Sequence, residues 1–377
     1  MSDSSKDLNS MKRAAELLHH RGLGLSKGDP IALPITTSSM FHLPGDPADT
    51  PGYGRVDNPT WEALENALAI LEDAPCVALP SGMAAISAAL FACLGAGKRL
   101  LVPSDGYYVT RVLSSEFLAS FGVAVTERPS AQFGEGGFAG FDVVFVETPS
   151  NPGLDLCDLR AICAEVRAAG GITIVDNTTM TPFGQRPLDL GADVVVASDT
   201  KAPGGHSDLL MGHVATRDTA LLARIRDWRK MSGAIPSPHA AWALYRGLET
   251  LELRFARMCD TAEQLAPVLA NHPAVQSVRF PGLPTDPSHN LATSQMERFG
   301  FLIGLDFGSE VRAEQFIEGC RFLRPATSFG GVHSSAERRA RWGDEVSPGY
   351  VRLSVGCEPV DALLQDLSDS LNNLGQR

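Results

Sequence analysis

The run Val194-Val195-Val196-Ala197 constrains this chain more than any other feature. Small apolar residues, mostly β-branched and with no polar alternation, describe a strand covered on both faces. Strands of that kind belong to parallel sheets, whose crossovers are helices, so the run points to an α/β architecture. There the carboxyl end of a strand opens onto the crest of the sheet, where ligands bind. Lys201 stands at that crest, in Ser198-Asp199-Thr200-Lys201-Ala202-Pro203-Gly204-Gly205. Two hydroxyls and two glycines around one lysine suit an amine held beside a phosphate.

Other segments repeat the pattern. Leu100-Leu101-Val102-Pro103 leads to Tyr107 and Tyr108, Val143 to Val146 leads to Glu147 and Asn151, and Ile172 to Val175 leads to Asp176 and Thr178. Each apolar run ends in polar residues, and together with the Lys201 strand they predict one crevice at the strand tips. Val77-Ala78-Leu79 runs through Pro80 into Ser81-Gly82-Met83 and a helix reaching Leu94. A strand, a small-residue turn and a helix N-terminus offer backbone N–H groups and a positive dipole end to an anion. Upstream, Asn58 caps a helix that starts on Pro59, and Trp61, Leu64, Leu68 and Leu71 form its core stripe. No G-x-x-x-x-G-K-[ST] is present, and no strand precedes Gly22-x-Gly24 to make it a dinucleotide fingerprint.

Length and charge narrow the class. The 377 residues suffice for two domains, and a net charge of -12 gives nucleic-acid binding no electrostatic support. No apolar run reaches membrane-spanning length, and the N-terminus lacks the basic-then-apolar order of a secretion signal, so the reading is cytoplasmic. Seven cysteines with no C-x-x-C argue against a disulfide framework and against zinc, and no metal site is expected. Residues 1–50 begin with a short helical pattern on Leu8, Met11, Ala15 and Leu18. They then lose periodicity through Gly22, Gly24, Gly28, Pro30, Pro34 and Pro44, which predicts an arm lying across another surface.

S-x-T-K followed by GGHSD resembles the cofactor-lysine segment of the Cys/Met-metabolism family of pyridoxal 5'-phosphate (PLP) enzymes, and the resemblance runs from about Gly52 to the last helix. It implies an aspartate-aminotransferase-like fold (PLP fold type I): a large α/β domain over 51–246 around a mostly parallel seven-stranded sheet, and a small α+β domain over 247–377. It implies that Lys201 binds PLP covalently and that the Ser81-Gly82-Met83 turn, with Ser198 and Thr200, cradles the phosphate. Asp176 in V-D-N-T matches the partner of the ring nitrogen, which keeps that nitrogen protonated and the ring electron-accepting. Asn151 in E-T-P-S-N-P matches the residue near the ring hydroxyl, with Thr178 lining the same pocket. Tyr107 aligns with the tyrosine stacked on the ring and joins Lys201 as a catalytic residue; Tyr108-Val109 replaces a glycine pair there, leaving Tyr108 as the alternative. Tyr53 and Arg55 match a Y-x-R that reaches a neighbouring subunit's phosphate, which implies a homodimer or homotetramer with shared sites. Arg352, in R-L-S-V-G-x-E, matches the clamp for the substrate α-carboxylate, helped by Ser328.

The resemblance implies a carbon-sulfur lyase of sulfur amino acids, with cystathionine γ-lyase favoured. Cystathionine β-lyase, methionine γ-lyase and a cystathionine γ-synthase or O-acylhomoserine sulfhydrylase stand as alternatives. Relatives acting on cystathionine carry acidic residues before Y-x-R and before S-x-G-G, where this chain has Gly52 and Thr327. A PLP-binding protein without turnover is the reading from another class, and the intact Lys201, Asp176 and Arg352 oppose it. In the C-terminal third, Trp242 to Arg257 reads as one long helix, with Arg246, Glu249, Glu252 and Arg254 on a solvated face.

Overall fold

The apolar runs form the interior of a seven-stranded sheet. The computed structural model describes residues 3–46 and 52–374, with side chains described from residue 11 onward. Its strands are β1 (Cys76–Leu79), β2 (Arg99–Pro103), β3 (Ala124–Arg128), β4 (Val143–Glu147), β5 (Ile172–Asp176), β6 (Val194–Ser198) and β7 (Gly212–Ala215), in the order β1-β7-β6-β5-β4-β2-β3. From β6 to β3 every pairing is parallel, and β7 alone runs against its neighbours. β4 is buried at all its positions and β6 at all but Ser198, as strands covered on both faces must be. Register sets the tips side by side: Glu147 pairs with Asp176, and Asp176 with Val196.

A second sheet holds β8 (Ser277–Arg279), β9 (Leu302–Asp306), β10 (Arg324–Pro325), β11 (Ser335–Arg338) and β12 (Tyr350–Ser354), in the order β10-β11-β12-β9-β8. Its hydrophobic contents are continuous with those of the helices beside the large sheet. Phe255, on the helix Leu251–Ala270, meets Phe301 edge-on at 5.9 Å between centroids, and Phe301 meets Phe329 at 6.3 Å. Burying a phenylalanine side chain fully stabilises by roughly 1.5–3 kcal/mol, so this row fixes the second sheet against the crest of the first.

Local signals account for the helix ends. Asn58 accepts from Thr60 N at 2.9 Å to open the helix Pro59–Glu72, which ends on Asp73 in the left-handed conformation at φ 53. Ser81 likewise accepts from Ala84 N at 3.1 Å and opens the helix Gly82–Cys93.

Two sequence expectations are corrected. The stretch from Trp242 to Arg257 is two helices, Pro238–Leu248 and Leu251–Ala270, broken at Glu249 and Thr250. Arg254 does not face solvent; it is 9% exposed and points into the Lys201 loop, because the break rotates the second helix out of the first one's phase. Among the described side chains of the N-terminal helix Asp3–His19, Leu17 is buried and Ala14 packs partly against the core, while Met11 and Leu18 are 63% and 54% exposed. The Leu8 side chain lies outside the described residues. Beyond that helix Leu23, Ile31 and Met40 are exposed, and the Met40 to Tyr53 bridge is the arm's one strand-like contact among the described residues.

Candidate active site

Lys201 follows β6 in a loop that three groups hold closed. Gly205 N donates to Lys201 O at 2.8 Å, Gly204 N to Asp199 O at 2.8 Å, and the Arg254 guanidinium donates to the carbonyls of Ala202 at 2.6 Å, Pro203 at 3.1 Å and Gly247 at 2.7 Å. Gly205 has φ +73, and a Cβ there would collide with Arg254 Nη1, which explains the second glycine of the motif. Behind the loop, buried His213 lies between Asp199, at 2.9 Å from Nδ1, and Glu72, at 3.2 Å from Nε2. Burial alone would lower the imidazole, but the two carboxylates push it up to about 10, so it carries a proton at neutral pH.

The Lys201 ammonium donates to Ser328 Oγ at 2.6 Å and lies 4.8 Å from the Phe329 ring centroid. Burial, then the nearby Arg352 guanidinium, pulls its pKa down to about 8, far below an ordinary lysine, which favours a neutral amine that can take up a proton. Ser328 is not a glycine yet has φ 82, a conformation held in place by Lys201 on its hydroxyl and by Arg352 Nη2 on its carbonyl at 3.0 Å.

One cavity of about 370 Å³ gathers most of the sequence candidates, a size within the range of small-ligand sites. Ser81, Gly82, Met83, Tyr107, Asn151, Asp176, Thr178, Ser198, Thr200, Lys201, Ser328 and Arg352 all line it. Of the two tyrosines, Tyr107 lines it and Tyr108 does not. Gly82 leaves no room for a side chain, since a Cβ would lie 2.5 Å from that of Ser198. The helix N-terminus at Gly82 and Met83 therefore presents bare backbone to the cavity beside Ser198, a cradle matched to a phosphate. Asp176 is buried and accepts from Thr178 N at 2.9 Å, while Thr178 Oγ1 accepts from Ser198 N at 2.9 Å. Burial raises the Asp176 carboxyl, opposed by Thr178 and by Lys201, so a cationic partner in the cavity would be welcome. Thr200 spends its hydroxyl on Met211.

Arg352 is 3% exposed and donates to Asn151 Oδ1 at 2.5 Å and to Glu337 Oε1 at 2.5 Å. Its Nε is buried without a partner, an expensive state that a ligand carboxylate would relieve. Tyr53 and Arg55 are not in the cavity of one chain. Arg55 Nη1 donates to Lys230 O at 2.8 Å, and its guanidinium carbon lies 5.6 Å from the Tyr53 ring centroid.

Three contributors have no assigned role in the sequence reading, although it places Glu147 at its strand tip. Glu147 accepts from Tyr107 N at 2.7 Å and Asn151 N at 2.9 Å and so braces both. Burial, reinforced by Asp176, raises its carboxyl. Glu337 and Arg339 reach the site through β11, and their run of charges carries no periodic signal that distinguishes it from a solvated face. The register of β11 against β12, which pairs Glu337 with Arg352, is what brings them in.

Known proteins share the sequence and the fold. The family model described as "Cys/Met metabolism PLP-dependent enzyme" matches residues 23–372. The chain is 46% identical to a Streptomyces coelicolor protein provisionally named cystathionine gamma-lyase, over 89% of this chain and 87% of that one. It is 34% identical to L-methionine gamma-lyase of Pseudomonas deceptionensis, over 98% and 99% of the two chains. The solved structure of cystathionine gamma synthase from Xanthomonas oryzae pv. oryzae, in complex with aminoacrylate and cysteine, superposes with a TM-score of 0.90 at 33% identity, covering 97% and 98%. On sequence and fold together, the chain belongs to the Cys/Met metabolism PLP-dependent enzymes, with their type I fold, and is a PLP-dependent lyase or synthase of trans-sulfuration.

Proposed function

We propose that this chain is a cystathionine γ-lyase, converting L-cystathionine and water to L-cysteine, 2-oxobutanoate and ammonia. The observation that carries the reading is Lys201 Nζ, its pKa lowered to about 8, set in one cavity with the unpartnered Nε of Arg352 and the buried Asp176. Name and similarity agree, in the Streptomyces coelicolor relative at 46% identity.

PLP bound here supplies an electron sink for the charge left when a substrate proton departs. Lys201 would hold it, with Asp176 at the ring nitrogen, Tyr107 on the ring face, Asn151 and Thr178 at its edge, and Ser81, Gly82, Met83, Ser198 and Thr200 around the phosphate. Arg352 binds the substrate α-carboxylate through Nε, and Ser328 orients the Lys201 amine. Lys201 Nζ takes the α-proton and then returns protons along the substrate as the γ-substituent leaves, work that suits one flexible amine near neutrality. We assign residues 51–246 to the cofactor domain and 247–377 to the small domain. We read the enzyme as cytoplasmic and as a homodimer or homotetramer whose Tyr53 and Arg55 complete the neighbour's site.

Thr327, which offers no carboxylate to a distal ammonium, favours methionine γ-lysis as the second reading. Product identity separates them. Cysteine and 2-oxobutanoate from cystathionine support the first, methanethiol and 2-oxobutanoate from methionine the second, and homocysteine with pyruvate from cystathionine refutes both.

A further inference from the structure

Arg339 is the charged residue of the cavity wall that the roles above leave unused. It is 7% exposed and lines the same cavity as Lys201 and Arg352. Two carboxylates fix its plane: Nε and Nη2 reach Asp344 Oδ2 at 2.7 and 2.6 Å, and Nη1 reaches Glu337 Oε1 at 2.6 Å. A guanidinium has five N–H donors, so two remain outside these three contacts, one on Nη1 and one on Nη2. Glu337 Oε1 also accepts from Arg352 Nη2 at 2.5 Å and from Thr327 Oγ1 at 3.3 Å. One buried carboxylate thereby locks two guanidiniums and Thr327 into a single frame.

That frame places two cations on one wall, each with unused donors, and Thr327 beside them brings no charge. The carboxylates lining the cavity, Glu147 and Asp176, lie at the tips of β4 and β5. Arg352 answers the substrate α-carboxylate. Arg339 has donors for a second one.

We propose that Arg339 is a specificity-determining residue whose two free N–H groups bind a carboxylate on the substrate's leaving group. The inference rests on the reading of this site as one that cleaves γ-thioethers of amino acids. Within that class it selects substrates whose departing thiol carries a carboxylate, as the cysteine half of cystathionine does, over methionine, whose departing thiol carries none. Planar, two-point contact to a carboxylate is the task arginine performs and lysine does not.

The test compares two thioethers of matched length on the PLP-loaded enzyme. S-(2-carboxyethyl)-L-homocysteine keeps the distal carboxylate alone, and S-(2-aminoethyl)-L-homocysteine keeps a distal amine alone. Wild type is expected to prefer the carboxyethyl compound in kcat/KM by roughly 10- to 100-fold, the scale of a charge-assisted pair of hydrogen bonds. Arg339→Gln should collapse that ratio towards one through KM, with Arg339→Lys restoring part of it. Equal rates in wild type, or a preference for the amine, overturn the proposal without any variant. A variant that slows both substrates equally shows a purely structural role through Glu337 and overturns it as well. If no thioether is cleaved, the γ-lyase reading fails separately. The dissociation constants of the two compounds, from the absorbance change of the loaded enzyme, then decide: tighter carboxyethyl binding upholds Arg339's role, and equal binding overturns it.

Discussion

Arg254→Met removes the cation that closes the Lys201 loop while keeping a stem of similar length. In the wild type this guanidinium serves the carbonyls of Ala202, Pro203 and Gly247 at 2.6, 3.1 and 2.7 Å, and Nε donates to Thr250 Oγ1 at 3.1 Å. Each buried acceptor left without a donor costs about 1–3 kcal/mol, and relaxation recovers part of the sum, so the expected loss is about 3–6 kcal/mol. With an unfolding entropy of about 2.1 cal/mol/K per residue, a chain of this size loses about 4–8 °C in Tm. Two of the freed carbonyls directly follow Lys201, so the 2.6 Å contact from Nζ to Ser328 loosens and kcat should fall by roughly one to two orders of magnitude. Arg254→Lys keeps the charge but not the three-way geometry, and should recover stability before activity. Differential scanning calorimetry and steady-state rates on the loaded enzyme measure both. An Arg254→Met enzyme with unchanged Tm and kcat would refute the claim that this residue holds the lysine loop.

Other perturbations probe the surroundings. The His213 pKa stands at about 10 against an ordinary 6.5, so its protonation contributes stability that is complete below pH 6.5 and disappears as pH rises through 10. The denaturant midpoint of wild type should fall over that window more than that of His213→Gln, and parallel curves would contradict the buried triad. For the apo chain, Lys201 at about 8 predicts that the rate of PLP uptake rises with pH and levels above about 8; a rate still climbing towards pH 10.5 would mean an ordinary lysine. Ser328 combines φ 82 with a functional hydroxyl, so Ser328→Gly should relieve about 1 kcal/mol of backbone strain and Ser328→Ala should not. Both should slow the α-proton step, seen as a larger isotope effect with α-deuterated substrate, and an unchanged effect would separate Ser328 from Lys201.

The parts of the site carried by strand tips were legible in sequence. Val194 to Ala197 and Val143 to Val146 show their burial by lacking alternation, and in a parallel sheet the next residues must crowd the crest. Ser81 and Asn58 were legible because capping is local chemistry, decided within three residues. Arg254 was not: its helical spacing matches a solvated face, and only the break at Glu249 and Thr250 turns it inward. The one local hint was Gly205, a position that requires both positive φ and close approach. Glu337 and Arg339 depend on cross-strand register, which no neighbouring residue encodes. Tyr53 and Arg55 lie outside the cavity formed by one chain, so the fold of a single chain does not display the role their motif implies.

The central claim is that Lys201 is the amine that carries the cofactor. Incubation with PLP followed by borohydride reduction and peptide mass spectrometry tests it most directly. The account predicts a single phosphopyridoxyl mass increment on the peptide containing Lys201, absent from Lys201→Ala. Label on another lysine, or none, would contradict it.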